Sequence, residues 1–162
     1  MFTYTNITKI ANKLQPKLRS FELVFIILAL LALSAKLSNI EIGTQLLVIF
    51  LSTLSIIYFL SGFITIDKIK ENALLVFFNK FNAWGLSILT IGILFIINHY
   101  PSSLQMLYMG TLTSLVSIVF SFYAKNKSEG MEQFYRISFI RNLAYGFVGI
   151  LTILFFKGII SI

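Results

Sequence analysis

Five long apolar stretches constrain this chain more than any other feature of its sequence. A helix that crosses a bilayer needs about 20 mostly apolar residues, within a range of about 17 to 25. Soluble domains are about one quarter charged, whereas this chain is 12% charged and 57% hydrophobic. We therefore expect an all-α, polytopic membrane helix bundle with five transmembrane helices, at 21–37, 42–66, 81–100, 104–124 and 143–162.

The start of the chain is polar and basic, unlike the rest. No small-residue cleavage site follows residues 1–20, so we expect the sequence from Phe21 onward to be a retained span and not a signal peptide. The length of 162 residues and the lack of a polar linker predict one transmembrane domain over 21–162. Residues 1–20 are expected to hold an amphipathic juxtamembrane helix in the headgroup plane, and its apolar face would comprise Ile7, Ile10, Ala11, Leu14 and Leu18.

Basic residues are unequally divided between the two sides of the predicted membrane domain. With the N-terminus in the cytoplasm, the external side receives only Lys36 and Lys157. The positive-inside rule therefore predicts a cytoplasmic N-terminus and an external C-terminus. The placement of the charges indicates contact with the lipid bilayer and its anionic headgroups, not with nucleic acid. The basic residues on the predicted cytoplasmic side are Lys9, Lys13, Lys17, Arg19, Lys68, Lys70, Lys80, Lys125, Lys127, Arg136 and Arg141.

Parts of the sequence recur with a period of about 62 residues, as expected for an internal repeat. Residues 80–85 resemble residues 141–146, and the tripeptide at 88–90 recurs at 150–152. The repeated unit would be an outgoing helix, a short turn and a returning helix. Because all units run in the same direction, they differ from the inverted repeats of many secondary transporters.

Small residues form lines along several predicted helices. Helix association in lipid relies on close backbone approach and on interhelical hydrogen bonds, which small and hydroxylated residues allow. Packing within the chain is the first interpretation, and the alternatives are docking of a partner subunit and a polar path. The candidate residues are Gly110, Ser114, Ser117 and Ser121 in the fourth span, and Ser52, Ser55 and Gly62 in the second.

Residues that could support catalysis are sparse. Proton-coupled machines keep ionisable groups at bilayer depth, whereas the charged residues near these spans fall at their ends. His99 is the single histidine and there is no cysteine, so neither a metal site nor a haem with two axial ligands is expected. Glu129 and Glu132 fit a solvated charge cluster, with docking of a protein as the alternative. We expect no enzyme activity and no cofactor.

Residues 82–122 contain Ala83-Trp-Gly85, Ile91-Gly-Ile-Leu-Phe95, His99-Tyr100 and Gly110. This segment resembles the two-helix membrane hairpin of the family of GldL, an inner-membrane motor protein of gliding motility and type IX secretion, and of small membrane proteins of Bacteroidota. The resemblance implies a bacterial inner (cytoplasmic) membrane. The family's intramembrane lysine and glutamate correspond here to Ile96 and Ser114, so no motor residue carries over.

Two functional hypotheses follow. The first is a non-catalytic scaffold or accessory subunit of a larger inner-membrane complex, which binds other membrane subunits or a second copy of itself. The alternative is a small channel or carrier that acts alone or as an oligomer, with a path lined by Ser, Thr and Gly.

Overall fold

The computed structural model describes residues 4–64, 72–127 and 132–156, and every regular element in these ranges is helical. The predicted span residues 65–66 and 157–162, together with Lys68, Lys70, Glu129 and Lys157, lie outside the described residues. A 3-10 turn at Gln15–Lys17, which contains Pro16, joins the first two helices. The helices are α1 Tyr4–Leu14, α2 Leu18–Leu37, α3 Ile42–Ser61, α4 Ala73–Ile97, α5 Ser103–Lys127 and α6 Glu132–Phe156.

Five of the helical segments are long and apolar enough to cross a membrane. The prediction of an all-α chain with five such helices is therefore confirmed. Helices α4 and α6 begin earlier than the spans predicted at 81–100 and 143–162. The first residues of α4 are already apolar, since residues 73–78 are Ala-Leu-Leu-Val-Phe-Phe, whereas α6 begins in a polar segment at Glu132. At α4 the cap is Asn72, whose Oδ1 accepts hydrogen bonds from Leu74 N at 3.1 Å and Leu75 N at 3.2 Å.

Helices that follow each other in sequence also pack against each other. Helix α4 is central and contacts α3, α5 and α6, whereas α2 lies at the edge, packed mainly against α3. Half of the most apolar window of α4 is buried inside the bundle, compared with 6% for α2. The short helix α1 contacts α3, and its Ala11 is buried.

The two ends of the bundle carry different residues. One end, called here the basic end, holds α1, the start of α2, the end of α3 and the starts of α4 and α6. The opposite end holds the tight α2–α3 and α4–α5 turns, which contain three residues with positive φ, Asn39, His99 and Ser102. There Lys36 Nζ, from the end of α2, donates to Ile97 O at 2.7 Å and to Asn98 Oδ1 at 2.9 Å. Lys36 thereby supplies donors and positive charge to the C-terminus of α4.

Candidate functional site

The small-residue line of α5 lies inside the bundle. Gly110, Ser114, Ser117 and Ser121 are all buried. At Gly110 the backbones of α4 and α5 are so close that an added Cβ would lie 2.5 Å from Leu89 Cα. Only glycine allows this approach, which brings α5 against α4.

A cluster of hydrogen-bonded polar side chains joins α4, α5 and α6, and we call it the Asn142 cluster (Asn82, Ser114, Ser138 and Asn142). Ser114 Oγ donates to Asn142 O at 2.8 Å, and Asn142 Nδ2 donates to Ser138 O at 2.8 Å. Asn82 Nδ2 donates to Ser138 Oγ at 2.9 Å. These bonds satisfy polar atoms that would otherwise be costly in an apolar interior.

A small cavity lies beside the Asn142 cluster and is lined by both polar and apolar side chains. Its volume is about 20 Å³, enough for one water molecule. Asn82 Oδ1 and Ser117 Oγ are buried near it and have no hydrogen-bond partner among the described residues. Ser121 also lines it.

The candidate residues of α3 occupy different environments. Ser55 Oγ lies 2.8 Å from Ser87 Oγ and 3.2 Å from Ser87 O, so it bridges α3 to α4. Gly62 is buried beneath the indole of Trp84. Ser52 is only partly buried. None of the three lies against the α5 line, because α4 separates α3 from α5 along the bundle.

A second polar cluster, the Glu22 cluster (Glu22, Tyr58, Arg141 and Tyr145), lies near the basic end and joins α2, α3 and α6. Tyr58 Oη lies 2.7 Å from Glu22 Oε1 and 2.8 Å from Tyr145 Oη. Because a hydroxyl has one proton, Tyr58 accepts from Tyr145 when it donates to the carboxylate. The two tyrosine rings meet edge to face with centroids 5.6 Å apart.

Arg141 completes this cluster from α6. Its Nη1 lies 3.7 Å from Glu22 Oε2, and its guanidinium carbon lies 5.7 Å from the centroid of the Tyr58 ring. The first distance is an ion pair but is too long for a hydrogen bond. The second is within the range of a cation–π contact. Arg141 Nε is buried without a hydrogen-bond partner in the described part of the chain.

A groove opens beside the Glu22 cluster, between α2 and α6, and we call it the α2–α6 groove. Its volume is about 250 Å³. Polar residues line one part of it and aliphatic residues line the rest. The lining residues are Arg19, Glu22, Leu23 and Ile26 of α2 and Ile137, Ile140, Arg141, Ala144 and Tyr145 of α6.

The four basic residues of the N-terminal segment, which are predicted to lie at the membrane surface, are all exposed. Lys9 and Lys13 lie on α1, Lys17 lies in the 3-10 turn, and Arg19 lies in the first turn of α2. Of these four, Arg19 alone lines the α2–α6 groove.

The sequence did not predict the Glu22 cluster. It placed Glu22 and Arg141 at the ends of separate spans, and nothing in their spacing indicated that they meet. One signal was available in the sequence. A glutamate lies at the start of one predicted span and an arginine lies just before another, and both were expected on the same side of the membrane. Their contact depends on the packing of α2 and α6 around α3.

The fold and its polar clusters define a class: an all-helical bundle with five helices long and apolar enough to span a membrane. Within the described ranges no three His, Asp or Glu side chains lie together in a group that could hold a metal ion. Comparison with known proteins gives no match, whether with family models, curated proteins or solved structures.

Proposed function

We propose that this protein is a non-catalytic, multi-pass protein of a bacterial inner membrane, with a cytoplasmic N-terminus and an external C-terminus, that serves as a scaffold or accessory subunit of a larger complex. The apolar helices and the resemblance to the GldL hairpin support the setting. The excess of basic residues at one end supports the orientation.

The observation that carries this proposal is the contrast between the interior and the edge of the bundle. Inside, Ser114, Ser55 and Asn142 are used in contacts between helices, which holds the bundle together. At the edge, α2 exposes a line of residues at alternating spacings of four and three, the spacing with which one helix packs along another. The line is Leu23, Ile27, Leu30, Ser34 and Leu37.

Photo-crosslinking tests whether a partner helix packs on this line. A photoreactive residue would replace Ile27 or Leu30 in cells, with Val119 of α5 as the control, because Val119 is also exposed and lies on another helix. We expect a discrete protein adduct from the α2 positions and lipid adducts only from position 119. An adduct of twice the 18.4 kDa mass would identify the partner as a second copy. Lipid adducts alone at all three positions would contradict the scaffold proposal.

Single cysteines test the orientation, since the chain has none of its own. Lys13→Cys and Ser102→Cys replace exposed residues at opposite ends of the bundle. A membrane-impermeant thiol reagent applied to intact spheroplasts should label the cysteine at position 102 and leave that at position 13 unlabelled until the membrane is permeabilised. Labelling of both positions in intact spheroplasts would rule out the proposed topology.

The second candidate function is a small channel or carrier, favoured by the cavity beside Asn82 and Ser117, whose Oδ1 and Oγ atoms have no hydrogen-bond partner among the described residues. Measurement of ion and solute flux into proteoliposomes distinguishes a scaffold from a channel or carrier. A scaffold should show no flux above that of empty liposomes. Flux that Ser117→Ala abolishes would favour the channel, because this substitution removes a hydroxyl from the cavity with little change in side-chain volume.

A further inference from the structure

The α2–α6 groove combines the two surfaces of an amphiphile-binding site. Its polar part holds Arg19, Glu22 and Arg141, all at the basic end. Its apolar part holds aliphatic side chains that lie further along the same helices, such as Ile26 on α2 and Ala144 on α6. Both parts are open to the outside of the bundle, because the two helices do not close over the space between them.

The arginines in the groove retain hydrogen-bonding capacity. Arg19 is exposed, and the structure gives it no partner within the described residues. Arg141 Nη1 stands 3.7 Å from Glu22 Oε2, so this ion pair does not use a guanidinium N–H in a hydrogen bond. A guanidinium offers five N–H donors in a planar fork that suits phosphate oxygens.

The negative charge of the Glu22 carboxylate in the groove is already compensated by neighbouring residues. Glu22 Oε1 accepts a hydrogen bond from Tyr58, and Glu22 Oε2 faces Arg141. Two arginines and one glutamate leave the groove with one formal positive charge. That charge matches one phosphodiester, which carries a single negative charge.

We propose that the α2–α6 groove binds one anionic phospholipid from the leaflet at the basic end. Its phosphate lies between the guanidinium groups of Arg19 and Arg141, and an acyl chain lies along Ile26 and Ala144. Basic pockets between helices on the cytoplasmic side are the usual sites of such headgroups. The proposal rests on the membrane location given above and is independent of the scaffold role.

Binding to the purified full chain in mild detergent tests this proposal. After delipidation, phosphatidylglycerol or phosphatidylcholine would be added, and bound lipid would be counted by native mass spectrometry alongside the thermal unfolding midpoint. We expect one tightly bound phosphatidylglycerol, with a higher midpoint, and no comparable binding of phosphatidylcholine. Equal binding of the two lipids would overturn the proposal, because the charge of the headgroup would then not matter.

Two variants that each remove one positive charge test whether the lipid binds in the α2–α6 groove. Arg19→Gln should weaken phosphatidylglycerol binding about fivefold, the effect of one basic residue near an anionic headgroup. Lys13→Gln removes an equal charge from an exposed position outside the groove and should have a smaller effect. Equal losses from both variants would indicate diffuse attraction to the basic end and would contradict a site in the groove.

Two further measurements distinguish the lipid from other occupants. Ala144→Trp places a large side chain in the apolar part without changing any charge, and it should reduce lipid binding at an unchanged fold, checked by circular dichroism. Soluble glycerol phosphate should not displace the lipid. Full displacement by glycerol phosphate, or unchanged binding in Ala144→Trp, would overturn the acyl-chain assignment. Loss of lipid binding with the α2 crosslink retained would contradict the lipid site but not the scaffold proposal. Loss of the crosslink with lipid binding retained would contradict the scaffold proposal but not the lipid site.

Discussion

Helices α2 and α4 are both long and apolar, but they are held in the bundle in different ways. Helix α4 packs extensively against α3 and α5 and touches α6, and its contact with α5 includes the close approach at Gly110. Helix α2 has one buried residue, Ala32, and its polar contacts lie near its two ends, at Glu22 and Lys36. Both kinds of contact, close packing and polar bonds, can hold helices together in a bilayer. Lipid supplies no hydrophobic drive for helix association, so packing and polar bonds must stabilise it.

The interior and the edge of the bundle therefore have separate tasks. Contacts along α4 hold the centre in one arrangement. End contacts on α2 leave its outer face and the α2–α6 groove accessible to other molecules. Substitutions in the two regions should therefore differ in size and in kind.

The largest effect is expected at the centre, from Gly110→Ala. The new side chain would meet the backbone of Leu89, so we expect a loss of about 3 kcal/mol or more in the free energy of unfolding, or failure to fold. Equilibrium unfolding in detergent measures this loss in the free energy of unfolding. Gly146→Ala is the matched control, because a Cβ there would meet Ser114 Oγ at an ordinary 3.4 Å. Similar losses in both variants would contradict the close approach at Gly110.

At the edge, Glu22→Ala removes the contact that joins α2 to both Tyr58 and Arg141. We expect a loss of about 1–2 kcal/mol, the sum of two modest interhelical interactions of the size found in membrane proteins. A double-mutant cycle with Arg141→Gln isolates the ion pair, and the coupling energy should be below that of the Tyr58 hydrogen bond. A cycle with Tyr58→Phe that shows no coupling would contradict the observed geometry.

A smaller difference is expected between two serines of the same α5 line. Ser114→Ala removes the bond to Asn142 O and should cost about 1 kcal/mol, whereas Ser117→Ala removes a hydroxyl that has no partner among the described residues and should be near neutral. Thermal unfolding of the two variants side by side measures the difference. A larger loss for Ser117→Ala would show that its hydroxyl has a partner.

The smallest effect is expected from Lys36→Met. This change keeps the length of the side chain but removes the charge and the donors that Lys36 gives to the C-terminus of α4. We expect the free energy of unfolding to fall by about 0.5–1 kcal/mol. The expected consequence is increased hydrogen exchange at the last turn of α4 and the end of α2, with the centre of α4 unchanged. Increased exchange throughout α4 would mean that the end contact has a wider role than the structure indicates.

The sequence predicted the long apolar helices well because hydropathy is a local property. The ends of the helices were predicted less well. Helix α4 begins after Asn72 with the apolar residues 73–78, which the predicted span 81–100 left out because the polar pair Asn79-Lys80 follows them. Helix α6 begins within a polar segment, since a helix continues as long as its backbone can be capped or solvated. The α5 line was visible from its spacing, but spacing did not show which of its serines meets a partner.

The sequence alone predicts five long apolar helices and a concentration of basic residues at one end of the bundle. The contacts of Glu22 with Tyr58 and Arg141, the contact of Ser114 with Asn142, and the groove between α2 and α6 are visible only in the folded structure. The physical reason is that helices apolar on nearly all sides carry no stripe that marks which face turns inward. Their rotation and partners follow from close packing at small residues and from a few polar contacts, and both depend on residues far apart in the chain.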